Sequence, residues 1–198
     1  VIIGNAANNT IRAGSGDDIV DAGDGLDTVV IAATYADATV VVSREQVEVS
    51  SADGNDVLIS VERVAFDDGT LAFDLEGSAG QAYRLYEAAF GRSADAEGLG
   101  YWVGELDAGR GDLHWLAAGF MASDEFAANS GGELTDEQFL AAVYDNVLGR
   151  AADANGLQYW EDVLDQGVGR EVVLAAFSES AEHQASLWGT MQDGIWFV

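Results

Sequence analysis

The chain has 198 residues, 48% of them apolar, which is enough for a core in one or two domains. Thirty-five acidic residues against eight basic ones, all arginine, give a formal charge of −27, a surface that repels nucleic acid and anionic membrane and attracts divalent cations. There is no Cys, no Pro and no run of about 18 apolar residues, so a disulfide framework and a membrane-spanning helix are excluded. The first stretch, Gly4 to Val30, has a nine-residue period: GNAANNTIR (4–12), AGSGDDIVD (13–21) and AGDGLDTVV (22–30). Position 6 of the three lines holds Asn9, Asp18 and Asp27, and position 8 holds Ile11, Val20 and Val29. Glycine fills positions 2 and 4 in the second and third lines, as Gly14, Gly16, Gly23 and Gly25.

That spacing points to a metal. Glycine at positions 2 and 4 allows positive φ and turns carbonyls toward one point. An oxygen-bearing side chain at position 6 joins them, and calcium takes 6–8 oxygen ligands from mixed carbonyl and carboxylate shells. The last three positions make a very short strand with one inward apolar side chain. Two nonapeptides make one turn of a parallel β-roll, so each repeat stacks on the next but one. Asn9 and Asp27 then edge one site, and Asp18 pairs with a repeat before residue 1 or with a segment after residue 30. The array resembles the RTX, or haemolysin-type calcium-binding, family. The first repeat has Asn5, Ala7 and Asn9 where the pattern wants Gly, Gly and Asp, so its half-site is the weaker. Val1-Ile2-Ile3 reads as the tail of a preceding repeat, as in a piece cut from a longer array.

Residues 28–75 read as strands at 28–32, 39–43, 46–50, 56–60, 61–66 and 70–75, with turns at Ala52-Asp53-Gly54-Asn55 and Asp67-Asp68-Gly69. Gly54, Asp56 and Leu58 repeat positions 4, 6 and 8 of the nonapeptide, which makes Asp56 a further candidate ligand or an ordinary turn Asp. The run DVLISVERVAFDDGT is similar to the segment that comes after RTX repeats and closes the roll, which would cover an open edge.

At Gly77 the apolar period changes from 2 to 3.6, and Ser78-x-x-Gln81 reads as a capping box opening a helix. Residues 85–109 and 143–167 repeat at an offset of 58, and 115–126 and 172–183 at 57. Each copy reads helix, Gly-Arg turn, helix, Gly-rich turn, helix. Asp95 and Asp153 sit where an N-cap opens a helix, and Gly91 and Gly149 where a glycine ends one. Arg92 and Arg150 are either anion clamps or acid-paired turn residues. Tyr101-Trp102 and Tyr159-Trp160 either stack on sugar rings or fill the core. The two copies of G-R-x-x-D-x-x-G-L-x-Y-W resemble a bacterial family of unknown function whose members occur in tandem beside RTX repeats in secreted proteins.

No catalytic constellation is legible. His114 and His183 lie outside any zinc motif, and neither a Cys nucleophile nor a Gly-x-Ser-x-Gly elbow occurs. The last residues, Met191 to Val198, place Asp193 before a short apolar end. They look like the C-terminal signal of type I secreted proteins, or else a final strand or helix turn packing into the bundle. The expected fold class is α+β: a short parallel β-roll with capping strands, then an all-α helical bundle built from two repeats. The expected divisions are 1–76 for the calcium-binding roll, 77–190 for the helical tandem and 191–198 for the secretion tail. The metal ligands expected are Asn9, Gly14, Gly16, Asp18, Gly23, Gly25, Asp27 and Asp56, with calcium as the cofactor. The resemblances imply a non-enzymatic, secreted, extracellular or cell-surface folding and secretion module, with calcium and type I secretion machinery as partners. The rival readings are an adhesion or surface-array module binding glycan or a surface protein, and the accessory tail of a secreted protease or lipase.

Overall fold

A nonapeptide turns the chain through a Gly-rich loop and then allows only three extended residues, so the first strands are very short. They are β1 (Ile2–Ile3), β2 (Thr10–Arg12), β3 (Ile19–Asp21) and β4 (Thr28–Val30). A single turn of 3₁₀-helix, Tyr35–Asp37, comes next. Longer strands succeed it: β5 (Thr39–Val42), β6 (Val47–Ser51), β7 (Gly54–Ile59), β8 (Arg63–Phe66) and β9 (Gly69–Ala72). Eight helices then occupy the chain: α1 (Ser78–Phe90), α2 (Ala96–Asp107), α3 (Leu113–Met121), α4 (Asp124–Ser130), α5 (Asp136–Leu148), α6 (Ala154–Asp165), α7 (Arg170–Ser178) and α8 (Ala181–Met191). The chain ends in β10 (Ile195–Phe197). The computed structural model describes all residues from Val1 to Val198. The fold is α+β, in two compact units: Val1–Gly80 together with Thr190–Val198, and Gln81–Gly189.

The strand unit is two five-stranded sheets, ordered β1-β3-β7-β6-β5 and β10-β9-β8-β4-β2. Successive nonapeptides alternate between them, and the pairs β1–β3, β3–β7, β2–β4 and β4–β8 are parallel. Register aligns position 8 into two apolar columns, Ile2–Val20–Leu58 in one sheet and Ile11–Val29–Val64 in the other. Val20, Val29, Leu58 and Val64 are fully buried between the sheets, each worth about 1.5–3 kcal/mol. The pattern then changes to antiparallel hairpins, β5–β6–β7 and β8–β9. The segment 191–198, expected as an export tail, supplies β10, which pairs antiparallel with β9. Ile195 is buried, and Trp196 stacks on Tyr35 at 4.7 Å and lies 6.2 Å from Phe66.

The helical unit repeats its elements in order: α1 to α4, then α5 to α8, with starts offset by 58, 58, 57 and 57 residues. The fourth helix of each copy is an addition to the three expected. Equivalent helices α3 and α7 pack on each other, and α5 packs on α6 and α7. The core draws on Leu85, Tyr86, Ala89 and Leu99 from one copy and Val143, Tyr144, Val147 and Leu164 from the other. Asp95 and Asp153 cap α2 and α6, and Thr135 with Gln138 forms the capping box of α5. Gly149 ends α5 at φ +59°, a conformation in which a Cβ is penalised. The start of α1 differs from expectation. Ser78 lies within the helix, and the first-turn amide of Ala79 donates to Asp74 Oδ2. Asp74 also holds Arg63 Nε and Nη2 at 3.2 and 3.1 Å, a buried fork-to-fork pair.

Candidate metal centre

Because the strands stack in register, the loops between them stack too. Loop 4–9 lies against loop 22–27, and loop 13–18 against loop 51–56. Backbone bonds tie the pairs: the Thr28 amide donates to the Asn9 carbonyl at 2.9 Å, and the Gly16 amide to the Asp53 carbonyl at 2.6 Å. The loops approach so closely that side chains are excluded at the contact. A Cβ on Gly23, at φ +95°, would sit 2.7 Å from the Asn5 carbonyl oxygen, and one on Gly54, at φ +150°, would run into the Gly16 carbonyl. Gly14, Gly16 and Gly25 also hold positive φ, at +89°, +110° and +138°.

The position-6 side chains form two ladders. In one, the Asn9 amide donates to Asp27 Oδ1 at 2.6 Å and the Asp27 amide to Glu62 Oε2 at 2.8 Å. In the other, the Asp18 amide donates to Asp56 Oδ1 at 3.0 Å. The structure thus brings together Asn9 with Asp27, and Asp18 with Asp56. Asp18 finds its partner 38 residues on, across the β5–β6 hairpin. Glu62 escaped the sequence reading. Only three residues, 60 to 62, separate β7 from β8, so a nine-residue ruler misses it, although the β4–β8 register places it opposite Asp27.

Electrostatically this is a place for a cation. Asp27 is fully buried, and its Oδ2 has no hydrogen-bond partner; a charged oxygen so placed is costly unless something positive meets it. Burial pushes the Asp56 carboxyl above its ordinary value, and the charges of Asp18, Asp17 and Asp53 push the same way against the Asp18 amide. Glu62 is likewise raised by burial, with Asp27 and Asp74 adding to it and the Asp27 amide opposing. No three His, Cys, Asp or Glu side chains gather at one point. Any ion here needs backbone carbonyls in its shell, as calcium tolerates. The residues present fit such an ion: glycine cradles, one carboxylate or amide per loop, and an unpartnered buried oxygen.

In the helical unit, the arginines of the repeated turn are acid-paired. Arg92 donates to Glu125 at 2.8 Å and lies over the Tyr86 ring at 5.3 Å. Arg150 reaches Glu182 at 3.5 Å and lies over Tyr144. Trp102 and Trp160 are half-buried against Phe120 and Phe177, while their neighbours Tyr101 and Tyr159 are exposed. The histidines do not converge. His114 is exposed on α3, and buried His183 sets its ring nitrogens against the carbonyls of Arg84 and Val147.

A roll of calcium-type nonapeptides and a tandem of four-helix copies define the class of protein. Residues 1–29 match the family described as RTX calcium-binding nonapeptide repeat (4 copies). Residues 79–128 and 117–187 match that described as Domain of unknown function (DUF4214). These latter matches cover more than half of the chain, and the chain belongs to the DUF4214 family. No curated protein sequence matches it. Among solved structures, the extracellular lipase LipA from Serratia marcescens is similar over 35% of this chain and 16% of its own length, at 12% identity and a TM-score of 0.30. No helix is long and apolar enough to cross a membrane.

Proposed function

We propose that the chain is a calcium-binding, non-enzymatic folding and secretion module of a type I secreted bacterial protein, acting outside the cell or at its surface. The observation that carries the calcium reading is the buried, partnerless Oδ2 of Asp27 between stacked glycine loops. Loop 22–27, through Gly23, Gly25 and Asp27, would hold one ion with its neighbours, Asn9 among them. Loop 13–18, through Gly14, Gly16 and Asp18, would hold another with Asp56. Calcium bound there neutralises the loop carboxylates, and its binding free energy becomes folding free energy for the strand unit. Sites of this kind fill at extracellular calcium and stay empty at cytosolic levels, so the roll would order only after export. The RTX match supports the export reading, and the chain's charge of −27 supports cation dependence.

Titration calorimetry of the chain with calcium tests the reading. Binding is expected, and the conservative variant Asp27→Asn, which keeps an acceptor for the Asn9 amide, should weaken it. A chain that binds no calcium at millimolar concentration would refute it.

A further inference from the structure

Asp27 has a neighbour on each side, because β4 lies between β2 and β8. On the β2 side its Oδ1 already accepts the Asn9 amide, and Asn9 carries no charge. The oxygen left over is Oδ2, fully enclosed and without a partner. On the β8 side stands Glu62, one register step from Thr28↔Arg63, with Oε2 on the Asp27 amide at 2.8 Å. Asp27 and Glu62 therefore stand at neighbouring register positions on one edge of the roll, and the arginine next to Glu62, Arg63, is committed to Asp74. Like charges on neighbouring strands disfavour each other's ionised form, and a bound cation would offset that repulsion. The segment that closes the roll also supplies a longer acid where a nonapeptide would have Asp. Its turn, residues 60 to 62, is shorter than the nonapeptide loop of residues 13 to 18, and the extra methylene of Glu spans the gap to the Asp27 amide.

We propose that Glu62 is a divalent-cation ligand, the charged partner of Asp27 in an oxygen-ligated calcium site at the closing turn of the roll. The inference rests on the reading of the roll as calcium-binding, and it names the partner: a residue outside the matched nonapeptides, in the closing segment. The roll thus ends on a ligand as well as on a strand.

Calorimetric titration of the full chain with calcium, comparing wild type with Glu62→Gln and Asn9→Ala, tests it. Gln keeps an oxygen for the Asp27 amide and nearly the same volume, and far-UV spectra and melting in calcium-free buffer check that each variant folds as wild type does. The expected result is that Glu62→Gln weakens the same binding event that Asp27→Asn weakens, by roughly tenfold or more, and that Asn9→Ala changes it less. Equal number and affinity of ions in wild type and Glu62→Gln would overturn the inference while leaving the calcium reading intact. No calcium binding by wild type would overturn both.

Discussion

Single side chains decide whether the roll tolerates being empty. Asp27 brings a charge and an unmatched oxygen, Asn9 neither. Replacing Asp27 with Ala should therefore weaken calcium more than replacing Asn9 with Ala, and a titration in which the Asn9 variant is the worse would reverse the assignment of the stronger half-site. The two raised carboxyls, Asp56 and Glu62, set the pH dependence of the empty roll. A carboxyl whose folded value lies above its unfolded one, near ~4, favours the folded state while protonated, and that contribution is lost as pH rises through the folded value. In calcium-stripped buffer the strand unit should melt higher at pH 5 than at pH 7. With calcium the order reverses, because protons compete with the ion for the same oxygens. A strand unit that melts higher at pH 7 than at pH 5 in both buffers would show that these carboxyls are not the groups in play.

Among the elements, β10 falls on the segment that the sequence offers both as an export signal and as a final strand, and in the fold it is a strand. An acidic residue followed by a few large apolar ones beside nonapeptide repeats reads first as an export signal and only second as a strand, because three residues carry no periodicity. In the fold they close the sheet on β9, with Trp196 stacked on Tyr35, which in turn packs edge-on against Phe66. Trp196→Ala should cost about 2 kcal/mol, below the ~3–5 kcal/mol of a fully buried aromatic, and roughly 4–8 °C of melting temperature per kcal/mol for a unit of this size. An unchanged melting curve would mean that the tail is not docked. Capping elements were easier to read. Thr135 and Gln138 lie three apart before an apolar run, and Asp95 and Asp153 recur at the repeat offset, so all were visible as motifs. Thr135→Ala should lower the stability of the helical unit by ~1 kcal/mol, measurable by denaturant titration. The Ser78 box was a false signal, since Asp74 comes from outside the four-residue window that defines it. The same locality explains the ligand ladders. Asn9 and Asp27 are 18 residues apart, one full turn of a regular roll, and could be paired by counting. Asp18–Asp56 spans an inserted hairpin and Asp27–Glu62 a shortened turn, and no fixed period reaches either.

For the whole molecule, the two units draw on different sources of stability. The helices have an apolar core, side-chain caps and the buried Arg84, which donates to Glu179 through Nε at 2.8 Å and Nη2 at 2.6 Å. The strand unit has an apolar core of its own, but its nonapeptide strands are only two or three residues long and its loops carry a buried carboxylate without a partner, so its folding should depend on the ion. Scanning calorimetry with and without calcium tests this most directly. At a calcium concentration 100 times Kd each filled site adds about 2.7 kcal/mol. Two heat-absorption transitions are expected, with calcium moving the strand unit upward by more than about 10 °C and leaving the helical one in place. A single transition, or a strand transition indifferent to calcium, would contradict the account.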